Sequence, residues 1–238
     1  MLEDYVVVDL EMTGLRAKTD RILEIGAVKV ENHKITESYQ RLINTGVKIP
    51  IEIQELTGIT DEMAATGVGE QEAVEGFFDF CRGFPLAGHN ILFDYSFLKQ
   101  YAVNHKKTFE KNGIDTLKLS RKFLPELEKK TLDYLCEYLN IERSRNHRAL
   151  EDARATCVLL EYLQEKYGEQ EQEAFRPLPL VYRAKKQSPA TERQKRYLKE
   201  LAEYHKIELD INFETLTKSV ASRKTDHILA QYGKMPKV

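Results

Sequence analysis

Three short segments of this 238-residue chain carry side chains whose types and spacing could do chemistry together. In the first, Asp9 and Glu11 close the apolar run Tyr5-Val6-Val7-Val8 and precede Met12-Thr13-Gly14. Residues i and i+2 of a strand point to one face, so these carboxylates converge at the strand's end. Burying two like charges together is expensive unless a cation shares them. In the second segment, Gly88-His89-Asn90-Ile91-Leu92-Phe93-Asp94, a strand end runs through a loop into a helix, and Asp94 taken alone reads as a helix N-cap. The third, Asn146-His147-Arg148-Ala149-Leu150-Glu151-Asp152-Ala153, sets His147 just ahead of a helix and Asp152 in its early turns, where both can face one point. Each segment also has a plain reading: a solvated strand end, a cap, and capping or surface polarity.

The elements that must position these residues follow from periodicity. Residues 5–10 are β-branched and apolar and read as a buried strand. Arg21–Glu31 alternates around Ile22, Ile25, Ala27, Val28 and Val30, and Lys34–Ile43 follows a turn at Glu31-Asn32-His33, which completes an antiparallel meander. From Glu70 the period becomes helical through Ala73, Val74, Phe77, Phe78 and Cys81, and the run Phe84–Ala87 reads as a further strand. Helical patterns recur at Asp94–Asn104, Leu117–Phe123, Thr131–Leu139 and Ala149–Tyr167. Three strands followed by strands alternating with helices predict an α/β fold with a sheet of mixed direction.

Taken together, the three segments resemble the motifs of the DnaQ-like 3′→5′ exonucleases, in the subclass with histidine in the third motif. Asp9-x-Glu11 with Thr13-Gly14 matches the first motif, His89-Asn90 with Phe93-Asp94 the second, and His147-x4-Asp152 the third, in the family's order. The likeness continues through Arg21–Ala27, Leu56–Thr60 and Asp115-Thr116-Leu117, covering about residues 4–165, and is similar to the DNA polymerase III epsilon subunit and proofreading group. The resemblance implies an RNase H-like mixed five-stranded sheet flanked by helices. It implies two divalent cations, Mg2+ or Mn2+, held by Asp9, Glu11, Asp94 and Asp152, which suits carboxylate oxygens and in-line displacement at phosphorus. It makes His147 the general base, a task suited to an imidazole of ordinary pKa ~6.5. It further assigns Thr13, Gly14, Leu15, Asn90 and Phe93 to the substrate side. Where the proofreading group usually has Thr, this chain has Met12, and Leu10-Glu11-Met12-Thr13-Gly14 looks instead like the oligoribonucleases. The likeness to the proofreading group makes single-stranded 3′ ends the expected substrate, DNA ahead of RNA, with nucleoside 5′-monophosphates as products. An exoribonuclease that trims RNA, or a non-catalytic adaptor associated with a polymerase, stands as the alternative.

Composition sets the wider frame. With 42% hydrophobic and 31% charged residues the chain is an ordinary globular protein, not a disordered or disulfide-scaffold one. The net charge of −2 conceals an asymmetry: residues 1–175 hold 22 basic and 31 acidic residues, net −9, and residues 176–238 hold 14 and 7, net +7. Domain boundaries are expected at 1–168 for the exonuclease unit, 169–190 for a basic, proline-containing linker, and 191–238 for a small basic helical module. In that module Thr217 reads as a helix N-cap with Gly233 past the helix end. The module is expected to grip nucleic acid or to dock a DNA polymerase or another replication or repair protein. Lys106, Lys107, Lys111, Lys118, Arg121, Lys122, Lys129, Lys130, Arg143, Arg145 and Arg148 are candidate phosphate contacts. Cys81, Cys136 and Cys157 share no CxxC spacing and read as reduced, packed thiols; no signal peptide or membrane span is legible, so a cytoplasmic protein is expected.

Overall fold

The alternation along β1 (Tyr5–Met12) explains its central place: Val6, Val8 and Leu10 belong to one apolar cluster, Tyr5 and Val7 to another. A strand that is apolar on both faces needs cover on both, and it finds it between two helical layers. The computed structural model describes residues 2–143, 147–209, 211–214 and 216–235. β1 pairs antiparallel with β2 (Ile22–Glu31), and β2 pairs with β3 (Lys34–Asn44) across a tight turn in which Asn32 and His33 are both left-handed, at φ 50° and 62°. On its other edge β1 runs parallel to β5 (Leu86–Gly88), which runs parallel to β6 (Asn112–Asp115). These five strands make the expected mixed sheet. Two-residue strands, β4 (Val68–Gly69) beside β3 and β7 (Leu178–Pro179) beside β6, extend it to seven.

Short helices α1 (Ile51–Thr57) and α2 (Asp61–Ala65) follow β3. α3 (Glu70–Phe80) and α4 (Ile91–Asn104) cover the Val6, Val8 and Leu10 face through residues such as Phe77, Tyr95 and Leu98. α5 (Thr116–Phe123), α6 (Leu132–Leu139) and α7 (Ala149–Tyr167) cover the Tyr5 and Val7 face, with Leu119, Leu135, Leu159 and Leu163 buried there. All three cysteines are free and buried.

Beyond α7 the chain stays on the body for some distance. Phe175, in a 3-10 turn, is buried with its ring stacked on Phe123 at 5.5 Å, β7 joins the sheet, and Leu180 and Tyr182 pack on the core. α8 (Glu192–His205) starts on Thr191, whose hydroxyl and the returning Gln194 side chain form a capping box. α9 (Lys218–Tyr232) starts on Thr217 and is followed by Gly233, as the sequence predicts. These two helices share their own apolar cluster, built on Leu198, Leu201, Leu216, Ala221 and Ile228. Among the described residues no helix is long and apolar enough to cross a membrane.

Candidate active site

One glycine decides how close α7 comes to the sheet. A Cβ on Gly26 would lie 2.0 Å from the Ala149 carbonyl carbon and 2.1 Å from Leu150 N, so only glycine lets the first turn of α7 rest on β2. Glu24, two residues earlier, fastens that contact. Its carboxylate accepts Arg148 Nη2 at 2.7 Å, Arg148 Nε at 3.0 Å, the Ala149 backbone N–H at 3.1 Å and Gln40 Nε2 at 2.9 Å. Asp9 and Glu11 stand opposite Gly26 and Glu24 in the β1–β2 register, so the start of α7 is held over both acids. His147, with φ 55°, turns the chain into the helix, and Asp152 follows in its first turn.

Glu11, His147 and Asp152 each offer a donor atom, all within 4.8 Å of one another. Asp94 arrives from the opposite layer. It is not the N-cap: α4 begins at Ile91 and is capped by Asn90 in a left-handed conformation, φ 69°. Asp94 lies one turn inside, 5% exposed, and accepts the Leu10 N–H at 3.1 Å, which ties α4 to the end of β1. Asp9, Glu11, Asp94, Asp152 and His147 thus line one cavity of about 400 Å3 at the end of the central strand. Gly14, Leu15 and Phe93 share its walls.

The electrostatics are those of acids without enough cations. Burial, then the charges of Asp94 and Glu11, holds the Asp9 carboxyl well above the usual carboxylate range. Glu11 is pushed up to about 8 by burial and by Asp152 and Glu24, partly offset by Arg148. Burial pushes Asp94 up to about 7 against the N–H bonds it accepts. Asp152 is raised by burial although Arg143 Nη1 sits 2.6 Å from its Oδ1. Arg143 also reaches Asp133 Oδ1 at 2.5 Å, and Asp133 Oδ2 lies 3.8 Å from His147 Nε2.

Two of the expected substrate residues are not brought to the cavity wall. Thr13 Oγ1 accepts the Arg21 N–H at 2.8 Å and closes a loop base, and Asn90 is exposed with its N–H on Asp115 Oδ1 at 3.0 Å. His89 lines the cavity, but both ring nitrogens are engaged, Nδ1 with Thr116 Oγ1 at 2.9 Å and Nε2 with Lys130 O at 2.7 Å, and burial lowers its pKa. Of the candidate phosphate contacts, Arg143, Arg148, Lys107 and Lys122 are committed to carboxylates, and Lys111 and Lys130 to carbonyl oxygens. Arg145 and Asn146 lie outside the described residues. The sequence reading assigns no site role to Glu24 or to the walls supplied by Ile53, Leu56 and Asp133; a single acid inside the apolar run Ile22-Leu23-Glu24-Ile25 is the signal that points to Glu24.

A mixed sheet with carboxylates from β1, α4 and α7 and a histidine gathered at the end of its central strand defines a nuclease class of α/β enzyme. The comparisons agree. The sequence profile of the Exonuclease family (RNase_T) matches residues 6–160. The chain is 36% identical over 169 residues to the DNA polymerase III subunit epsilon of Aquifex aeolicus, covering 69% of this chain and 84% of that protein. It is 36% identical over 168 residues to the DNA polymerase III PolC-type of Clostridium perfringens, covering 71% of this chain but only 12% of the polymerase. Among solved structures, exonuclease X in complex with 5′-overhanging duplex DNA superposes with a TM-score of 0.56 at 24% identity, over 69% of this chain and 93% of that one. The E. coli ExoI–ssDNA complex in its zinc-bound form gives 0.65 at 17%, over 73% and 42%. This chain belongs to the exonuclease family.

Proposed function

We propose that the protein is a metal-dependent 3′→5′ exonuclease that removes nucleoside 5′-monophosphates from single-stranded 3′ ends of DNA, in replication or repair in the cytoplasm. The observation that carries this reading is the convergence of Asp9, Glu11, Asp94 and Asp152 on one cavity, with His147 at its edge and the exposed Leu15 at its mouth. The names of the similar polymerase subunits favour DNA and a polymerase partner. The same reading takes residues 1–168 as the catalytic unit, 169–190 as the connection and 191–238 as a helical module that adds nucleic-acid or partner contacts.

The donor set fits divalent cations. Among the described residues no ion pair or side-chain hydrogen bond reaches Asp9 or Glu11, while Glu24, directly opposite Glu11, has its own arginine. Mg2+ or Mn2+, held by Asp9, Glu11, Asp94 and Asp152, would supply Lewis-acid stabilisation of charge at phosphorus. The protein's own part is positional. Leu15 packs on the terminal base and Phe93, braced edge-on by Phe97 at 5.6 Å, supports the same pocket. His147 accepts the proton of the attacking water as its oxygen bonds to phosphorus; the P–O3′ bond breaks and the departing oxygen is protonated by solvent.

Digestion of 3′- and 5′-labelled single-stranded oligonucleotides tests this directly. Shortening from the 3′ end that needs Mg2+ or Mn2+ supports it; activity that survives EDTA, or that starts at the 5′ end, overturns it. Met12 lies in the cavity wall at the position that resembles oligoribonucleases, which keeps RNA as the second reading. Paired DNA and RNA oligonucleotides of one sequence separate the two.

A further inference from the structure

The loop of residues 13–20, between β1 and β2, forms one wall of the cavity through Gly14 and Leu15. Its base is tied by two hydrogen bonds: Thr13 N–H donates to Arg21 O at 2.9 Å and Arg21 N–H to Thr13 Oγ1 at 2.8 Å. Its tip presents Leu15, 80% exposed, to the cavity mouth. The back of the loop closes on Asp20. Asp20 Oδ2 accepts the Arg16 N–H at 2.8 Å, Oδ1 accepts Thr19 Oγ1 at 3.2 Å, and a Cβ on Gly14 would lie 2.6 Å from Oδ2. The wall-forming residue therefore rests directly on this carboxylate. Asp20 is 7% exposed at its side chain, and its ion-pair partner comes from the C-terminal helices: Arg223 Nη1, on α9, at 2.5 Å from Oδ1. Beside it, the Gln187 side chain donates to Lys18 O.

We infer that Arg223 is a positioning residue for the substrate cavity: through Asp20 it fixes loop 13–20, and with it the placement of Gly14 and Leu15 against the terminal nucleotide. The inference rests on the exonuclease reading for its substrate. Without Arg223 this carboxylate loses its charged partner and gains by turning to water, which releases the Arg16 N–H and the support under Gly14. A wall held in place before substrate arrives has less ordering to lose on binding, so the contribution falls on affinity and not on the chemical step. The +7 segment that begins at residue 176 then has a structural tie to the site: the helical module is part of the cavity's scaffold.

The test uses the full chain with Arg223→Ala, Arg223→Lys, Asp20→Asn and the double variant Arg223→Ala/Asp20→Asn. Arg223 is 37% exposed, so its replacement leaves the fold intact. KM for a single-stranded oligonucleotide rises about three- to tenfold in Arg223→Ala while kcat stays within about twofold, and Arg223→Lys recovers most of the loss. The double variant is no worse than the worse single one, because both remove one coupling. Amide exchange of residues 13–20, read without substrate, quickens in Arg223→Ala. Unchanged KM and exchange, additive penalties, or a kcat that falls together with the melting temperature would each overturn the inference. The exchange measurement needs no turnover, so a chain that failed to digest 3′ ends would remove the exonuclease reading and still show whether Arg223 holds the loop.

Discussion

Glu11 and Glu24 face each other across two paired strands beneath the same helix, and the protein treats them in opposite ways. Glu24 is fully buried and accepts four hydrogen bonds, two of them from one guanidinium, which makes it the clamp that fastens α7 to β2. Glu11, with Asp9 beside it, has no such partner among the described residues, and both carboxyls are driven up by burial and by each other's neighbours. A buried acid with a full set of donors is architecture. A pair of half-buried acids without them is unfavourable as it stands at neutral pH, and protons or an added cation relieve it.

Neutralising one member of each set breaks the comparison most sharply. Asp9→Asn removes a ligand from the site and a like charge from the cluster. Its kcat on single-stranded DNA falls by about three orders of magnitude or more, while its melting temperature without metal holds or rises. Activity near the wild-type level, or a loss of folding, would show that Asp9 is architecture after all. Glu24→Ala does the reverse: it strands Arg148 and unfastens the start of α7, and costs about 3–5 kcal/mol in denaturant unfolding. Wild-type stability in that variant would deny Glu24 its clamping role.

That contrast also marks how far the sequence could be read. The alternation of Val6, Val8 and Leu10 with Tyr5 and Val7 places β1 at the centre and sends Asp9 and Glu11 to one face, because a period of two is visible in any short run. The i to i+5 relation of His147 and Asp152 is legible for the same local reason. Glu24 and Arg148 are 124 residues apart, and nothing in a list of charged residues distinguishes an arginine bound to a buried acid from one free to meet phosphate. β6 is not legible in the sequence because Asn112-Gly113-Ile114-Asp115 has little strand propensity and exists through its pairing with β5 and β7. α1 has only seven residues, too few for a stripe, and it leaves Ile51 and Leu56 exposed, Leu56 in the cavity wall. Taken alone Asp94 reads as a cap, and it lies one turn inside α4 instead because the left-handed turn at Asn90 starts the helix at Ile91.

The smallest expected effect reads the uncompensated set without any substrate. Burial and the neighbouring carboxylates push Glu11 up to about 8 and burial pushes Asp94 up to about 7 in the folded chain, against ordinary values of 4.5 and 3.8, and Asp9 moves in the same direction. A folded-state pKa above the unfolded one means stability that is fully present below pH ~4 and is lost as the pH rises through ~7–8. Metal-free protein in EDTA should therefore melt lower at pH 8.5 than at pH 5 by about 4–8 °C, the equivalent of about 2 kcal/mol in a chain of this size. Saturating Mn2+ binds the deprotonated carboxylates, so the gain in melting temperature on adding it grows with pH over the same window. Asp9→Asn should flatten both trends, because it takes one like charge and one ligand out of the cluster. A melting temperature in EDTA that rises from pH 5 to 8.5, or a gain from Mn2+ that ignores pH, would mean that cations of the protein already balance these acids, and the distinction between Glu11 and Glu24 would fall.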